Sequence, residues 1–224
     1  MIPALVGVPV KPFGVAKRRL GPAVDAATRS QLGRAIAAET LNVVAASGAL
    51  PVVVSGDAGV ASWARTAGWE VMSERPGSGL DGAAAAVVAA SPRSWAVLHA
   101  DLPLVRPADL AAAWEADAPA VLAPSRDGGT SLFLGSGPMR FAYGPGSFTR
   151  HLARAPGAAV VVRPGMALDL DTPADLAAVL SLGAPSGLAG LLGTPTGRSA
   201  MPAPKAGRPS PRAPGAPAGE RRSL

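Results

Sequence analysis

The feature that most limits how this chain can fold is a rhythm. Short apolar, β-branched runs alternate with longer segments whose apolar residues recur every three or four positions. Ala4–Val10, Leu50–Ser55, Trp69–Ser73, Ser94–His99 and Ala120–Ala123 read as strands. Between them, residues 25–47, 58–67, 80–90 and 107–116 read as helices, the first with Leu32, Ile36, Thr40 and Val43 on one face. Pro107 stands at a first helical position, where its missing N–H costs nothing. Strands alternating with helices of this length build βαβ units, so the expected fold is α/β, a mostly parallel sheet with helices on both faces. After Pro124 the rhythm changes, with strands expected at Thr130–Leu134 and Ala158–Val162 and helices at 147–155 and 172–181. A single domain over residues 1–183 is the economical reading.

Composition then excludes several chemistries. The chain of 224 residues is 48% hydrophobic, ample for a buried core. It has no apolar run of the roughly 18 residues that a membrane span needs. Its start, MIPALVGVPVKPFG, lacks the basic region and cleavage site of a secretory signal, and a cytoplasmic location is expected. Zero cysteines exclude disulfides, thiolate metal sites and a Cys nucleophile, and two histidines leave little room for a His-rich metal site. Aromatics at 4% argue against a stacking platform for single-stranded nucleic acid. Any chemistry must lean on carboxylates, hydroxyls, Lys/Arg and backbone amides.

The net charge of +6 belongs to one end of the chain. Residues 194–224 hold six Lys/Arg against one acid, whereas residues 1–193 hold fifteen against fourteen. Those last 31 residues also contain seven prolines and four glycines, a composition that buries too little surface to offset chain entropy. Residues 184–224 are therefore expected to be a disordered, dispensable tail. The nearly neutral body disfavours nucleic acid as a partner.

In parallel sheets ligands bind beyond the carboxyl ends of the strands, and the polar, glycine-rich loops fall there. Lys11-Pro-Phe-Gly-Val-Ala-Lys17-Arg18-Arg19 follows the first strand and suits a polyphosphate. It is not a Walker A loop. His99-Ala-Asp101-Leu-Pro103 puts a carboxylate at the sheet edge, where a divalent ion can be shared with substrate phosphates; His99 itself reads as a core histidine. In Leu168-Asp169-Leu-Asp171-Thr-Pro-Ala-Asp175, Asp169 and Asp171 point the same way on an extended chain and can bridge a metal. Helix capping explains Asp171–Asp175 but not Asp169. Gly128-Gly129-Thr130 and Tyr143-Gly144-Pro145-Gly146-Ser147 each offer backbone N–H groups and a hydroxyl, as an anion site requires. Gly77-Ser-Gly79-Leu-Asp81-Gly82 matches G-x-G-x-x-G, but it follows the third strand rather than the first, which argues against a dinucleotide site.

Taken together, VPVKPFGVAKRRL, GSGLDGA, HADLPLV, APSRDGGTSLF, YGPGSFTRHL and MALDLDTPADL resemble, in order, the phosphoenolpyruvate/2-phospho-L-lactate guanylyltransferase family of coenzyme F-420 (deazaflavin) biosynthesis. The resemblance runs from about Val8 to Leu176. It implies a single-domain Rossmann-like nucleotidyltransferase fold and transfer of GMP from GTP to phosphoenolpyruvate or 2-phospho-L-lactate, with release of pyrophosphate. It implies Lys17 and Asp101 in catalysis, with Lys11, Lys17, Gly79 and Asp81 on the nucleotide. Thr130, Gly144 and Ser147 would bind the acceptor, and Asp101, Asp169 and Asp171 would carry Mg2+. A downstream transferase of the pathway is the implied protein partner. Asp81 departs from the family, whose members often have Asn there. A related nucleotidyltransferase using 3-phosphoglycerate, a metal-dependent glycosyltransferase and a non-catalytic nucleotide-binding protein are the competing readings.

Overall fold

The computed structural model describes residues 2–75 and 77–193. Strands β1 (Leu5–Pro9), β2 (Pro51–Val54), β3 (Glu70–Met72), β4 (Trp95–Leu98), β5 (Val121–Pro124), β6 (Thr130–Gly135) and β7 (Ala159–Val160) form one sheet in the order β3-β2-β1-β4-β6-β5-β7. All pairings are parallel except those of β6, which runs antiparallel to both β4 and β5. The expected mostly parallel α/β sheet is thus present, with one strand inserted against the grain.

Alternating side chains along the strands supply two cores. Val6, Val8, Val53, Ala96, Leu98 and Leu132 face one way, onto helices α1 (Ala26–Ala46), α2 (Ala58–Thr66), α4 (Pro107–Trp114) and the short α6 (Pro164–Ala167). Val54, Trp95, Val97, Leu122 and Phe133 face the other way, onto α3 (Gly79–Ala90) and α5 (Ser147–Arg154). Gly7 is required by this second contact, because a Cβ there would lie 2.1 Å from Val87 Cγ2. The α3 helix therefore packs directly on the β1 backbone. Asp25 starts α1 where expected, its carboxylate accepting from the Thr28 N–H at 2.9 Å.

A third cluster covers the outer side of α1. Leu20, Leu32, Ile36, Leu170, Leu176 and Val179 pack there with Leu188, drawn from α7 (Pro173–Ser181) and α8 (Ser186–Gly193) among other elements. The boundary expected at residue 183 is therefore corrected. Leu188 is only 5% exposed, so the folded body continues through α8. The disordered tail expected over the remaining residues 194–224 lies outside the described residues. No helix among the described residues is long and apolar enough to cross a membrane.

Candidate active site

In the order β3-β2-β1-β4 the strand sequence reverses direction across the sheet between β1 and β4, the place where such sheets open a crevice beyond their carboxyl ends. A cavity of about 240 Å³ occupies that switch point, lined by Lys11, Lys17, His99, Asp101, Asp169 and Asp171 among others. Three of the segments read from the sequence thus bring charged residues to one place, the basic loop, the loop after β4 and residues 168–171, and the start of α3 adds Leu80 to the lining.

The basic loop is folded so that one cation turns inward. The Pro12 carbonyl accepts from the Val15 and Ala16 N–H groups, Leu20 is buried, and Lys17 between them takes a left-handed backbone (φ 58). No other described non-glycine residue has positive φ. The Lys17 side chain is 7% exposed and its Nζ donates to Asp101 Oδ2 at 3.3 Å. Arg19 reaches Asp171 at 2.9 Å, while Lys11 and Arg18 remain exposed.

Asp101 and Asp169 are drawn together by the main chain, since the Leu170 N–H donates to the Asp101 carbonyl at 3.0 Å. Burial raises the Asp101 carboxyl, but Lys17, with His99, outweighs it and holds the group below its usual range. Asp169 has no such cation: burial first, and the charge of Asp101 second, push it up to about 6. The Oδ1 atom of Asp101 is buried without a hydrogen-bond partner. Two carboxylates in mutual repulsion with an unused oxygen between protein groups are the donor set that a hard divalent cation fits.

The three aspartates expected to carry the ion, Asp101, Asp169 and Asp171, come from two segments that meet at the cavity. Among the described residues no three acidic or histidine side chains are gathered as ligands. All three aspartates line the cavity, but Asp171 is engaged by Arg19. Asp175 caps α7 with Thr172, as capping predicts, and also pairs with Arg126.

Thr130 and Ser147, expected to bind the acceptor, form a buried relay rather than open hydroxyls. Thr130 and Ser147 are fully buried, and Ser147 Oγ donates to Thr130 Oγ1 at 3.4 Å. His151 Nδ1 lies 2.9 Å from the same Thr130 oxygen, and His151 Nε2 accepts the Ala142 N–H at 2.9 Å. Burial holds His151 down at about 4, so it is neutral at pH 7. With Nε2 accepting, the imidazole hydrogen sits on Nδ1 and is donated to Thr130. Thr130 Oγ1 thereby accepts twice, and its own hydrogen is the donor that remains. Gly144 (φ 111) and Gly146 (φ 68) carry the turn into α5, a conformation that glycine adopts without strain.

Gly79 opens α3 with φ 63 and is exposed. Asp81, in the first turn of that helix, accepts the Tyr143 N–H at 2.8 Å, so it ties α3 to the loop that leads into α5. Sequence reasoning missed this tether, and it missed His151. The one available signal was that Ser147 and His151 stand four apart on α5 and so share a face.

The family model described as "Guanylyl transferase CofC like" matches residues 4–186. The chain is 35% identical over 207 residues to the phosphoenolpyruvate guanylyltransferase of Geodermatophilus obscurus, covering 86% of this chain and 96% of that protein. It is 35% identical over 178 residues to the 2-phospho-L-lactate guanylyltransferase of Halomicrobium mukohataei, covering 76% and 84%. In fold it is similar to a putative nucleotide-diphospho-sugar transferase from Desulfovibrio desulfuricans G20, with a TM-score of 0.64 at 19% identity over 80% of this chain and 87% of that one.

Proposed function

Because this chain belongs to the guanylyl transferase CofC-like family, and is a nucleotidyltransferase, we propose that it moves GMP from GTP onto phosphoenolpyruvate or 2-phospho-L-lactate. The products are pyrophosphate and enolpyruvoyl-2-diphospho-5'-guanosine or lactyl-2-diphospho-5'-guanosine. The reaction serves coenzyme F-420 biosynthesis in the cytoplasm, and its product passes to a downstream transferase of that pathway.

The observation that carries this reading is the Lys17–Asp101 pair, a nearly buried ammonium against a carboxylate on the wall of the switch-point cavity. A phosphate oxygen of the acceptor forms a bond to the α-phosphorus of GTP as the bond to the β-phosphate oxygen breaks, and pyrophosphate leaves with that electron pair. The acceptor phosphate is already an anion at pH 7, so no protein base is needed, and catalysis reduces to positioning and charge neutralisation. Lys11, Lys17 and Arg18 supply cations to the triphosphate, and Gly79 and Asp81 lie on the nucleotide side. Thr130, Gly144 and Ser147 receive the acceptor. Asp101 and Asp169 would hold Mg2+, with Asp171 available once released by Arg19. When bound, the ion supplies neutralisation of the transferring and leaving phosphates. The substrates are small molecules, and the near-neutral body gives no footprint for nucleic acid.

Pyrophosphate release tests the reading directly. It is expected with GTP plus either acid, and absent when GTP or the acid is omitted. ATP should substitute poorly for GTP. Release with 3-phosphoglycerate alone among the acids would replace the proposed acceptor.

A further inference from the structure

Asp101 Oδ1, His99 Nε2 and the Tyr143 hydroxyl are buried without a hydrogen-bond partner; Asp101 and His99 line the cavity, and Tyr143 is the ring neighbour of His99. They form a series. His99 Nδ1 lies 4.0 Å from Asp101 Oδ1, and the rings of His99 and Tyr143 are 5.7 Å apart. A divalent ion held by Asp101 would account for the first atom. Nothing yet accounts for the other two, and a buried hydroxyl left unpaired costs the free protein stability.

Tyr143 is held by everything except its hydroxyl. Phe141 stacks on it at 5.8 Å, the edge of His151 meets it at 4.7 Å, and its N–H is fixed on Asp81. Burial raises its pKa, so the group remains an O–H donor. The residues Asp101, His99, Tyr143, His151 and Thr130 thus run as neighbours from the cavity to the acceptor-side hydroxyls.

We propose that Tyr143 contacts the acceptor, its hydroxyl donating to the carboxylate of the phosphorylated acid. The assignment rests on the guanylyl-transfer reading above. Such an acid carries two anions. Its phosphate must approach the α-phosphate of GTP over the Lys17–Asp101 cavity, so its carboxylate needs a second pocket. A neutral, rigidly held donor suits that pocket, because it does not compete with the basic loop for the triphosphate. A site that spends a buried hydroxyl on one substrate group also rejects analogues that lack the group.

The test is Tyr143→Phe in the full chain, assayed for pyrophosphate release and for melting temperature. Loss of one bond to a charged group should raise the acceptor KM roughly 10-fold or more and leave the KM for GTP nearly unchanged. The melting temperature of the free protein should stay level or rise, since an unpaired buried hydroxyl is removed. The gain in melting temperature on adding the acid should shrink. The wild type's preference for the acid over ethyl phosphate, which has no carboxylate, should collapse in the variant. An unchanged acceptor KM overturns the assignment. So does a fall in melting temperature with both KM values raised together, which marks a packing role. A wild type that releases no pyrophosphate from GTP with either acid overturns the guanylyl-transfer reading, and is distinct from a variant that matches an active wild type.

Discussion

Lys17 Nζ and Asp101 Oδ2 lie 3.3 Å apart although 84 positions separate them in the chain, and each comes from the loop after a different central strand. Asp101→Asn preserves the shape of this contact and removes its negative charge. The expected result is a loss of kcat/KM of roughly 100-fold or more, the scale of removing one preorganised electrostatic group. Circular dichroism should be unchanged. Unfolding of the variant would make Asp101 a structural residue.

Lys17 gains its position at a backbone cost. A left-handed residue with a Cβ is disfavoured by roughly 1–2 kcal/mol, and glycine is not. Lys17→Gly and Lys17→Ala should both lose turnover, but the Gly variant should be about 1 kcal/mol more stable than the Ala variant. Chemical denaturation of the pair measures the difference.

The raised Asp169 carboxyl makes a signed prediction. Its folded value of about 6 lies above the ordinary 3.8 of the unfolded chain. Its contribution to stability is therefore fully present below pH 3.8 and is lost as pH rises through 6. In protein free of metal and nucleotide, Asp169→Asn should stabilise by about 1 kcal/mol at pH 8, after allowance for solvent screening, and give no gain near pH 4. Melting curves across that range check it.

Thr130→Val removes the oxygen that receives both His151 and Ser147. The His151 N–H is left buried and unpaired, so a stability loss of about 1–3 kcal/mol is expected with a higher acceptor KM and little change for GTP. Ser147→Ala removes the hydroxyl that donates to Thr130 and leaves no donor unpaired, so the stability loss should be smaller. Weakened GTP with an unchanged acceptor would exchange the two substrate sites.

Chain shortening separates body from tail. A stop after Gly193 should leave melting temperature and turnover unaltered. A stop after Gly183 also removes buried Leu188 and uncovers Leu32 and Ile36 on α1, at a cost of about 2–5 kcal/mol.

The strands and long helices were legible because their periodicity is local. Leu32 and Ile36 announce α1 within one window, and Gly79 at the opening of α3 was visible as a loop glycine. The antiparallel course of β6 was not legible, since Thr130–Leu134 reads the same in either direction. Helix α8 was missed because Ser186–Gly193 is short and sits next to a proline-rich segment whose composition dominated the reading. Individual site residues were readable as types, but their partners were not. Nothing near Asp171 announces Arg19, and nothing near Asp81 announces Tyr143, because those contacts depend on how distant loops meet over the sheet.

The inserted strand also sets a schedule for synthesis. Trp95–Leu98 has all four residues fully buried in the finished sheet and pairs on one side with Leu132–Gly135. The ribosome makes that partner later, so the apolar β4 edge waits roughly 2–8 s for its cover at 5–20 residues per second. Until then its free N–H and C=O groups are a template for any passing strand. Recovery of this protein in soluble form should therefore depend on how fast residues 99–135 are translated as well as on how stable the completed fold is.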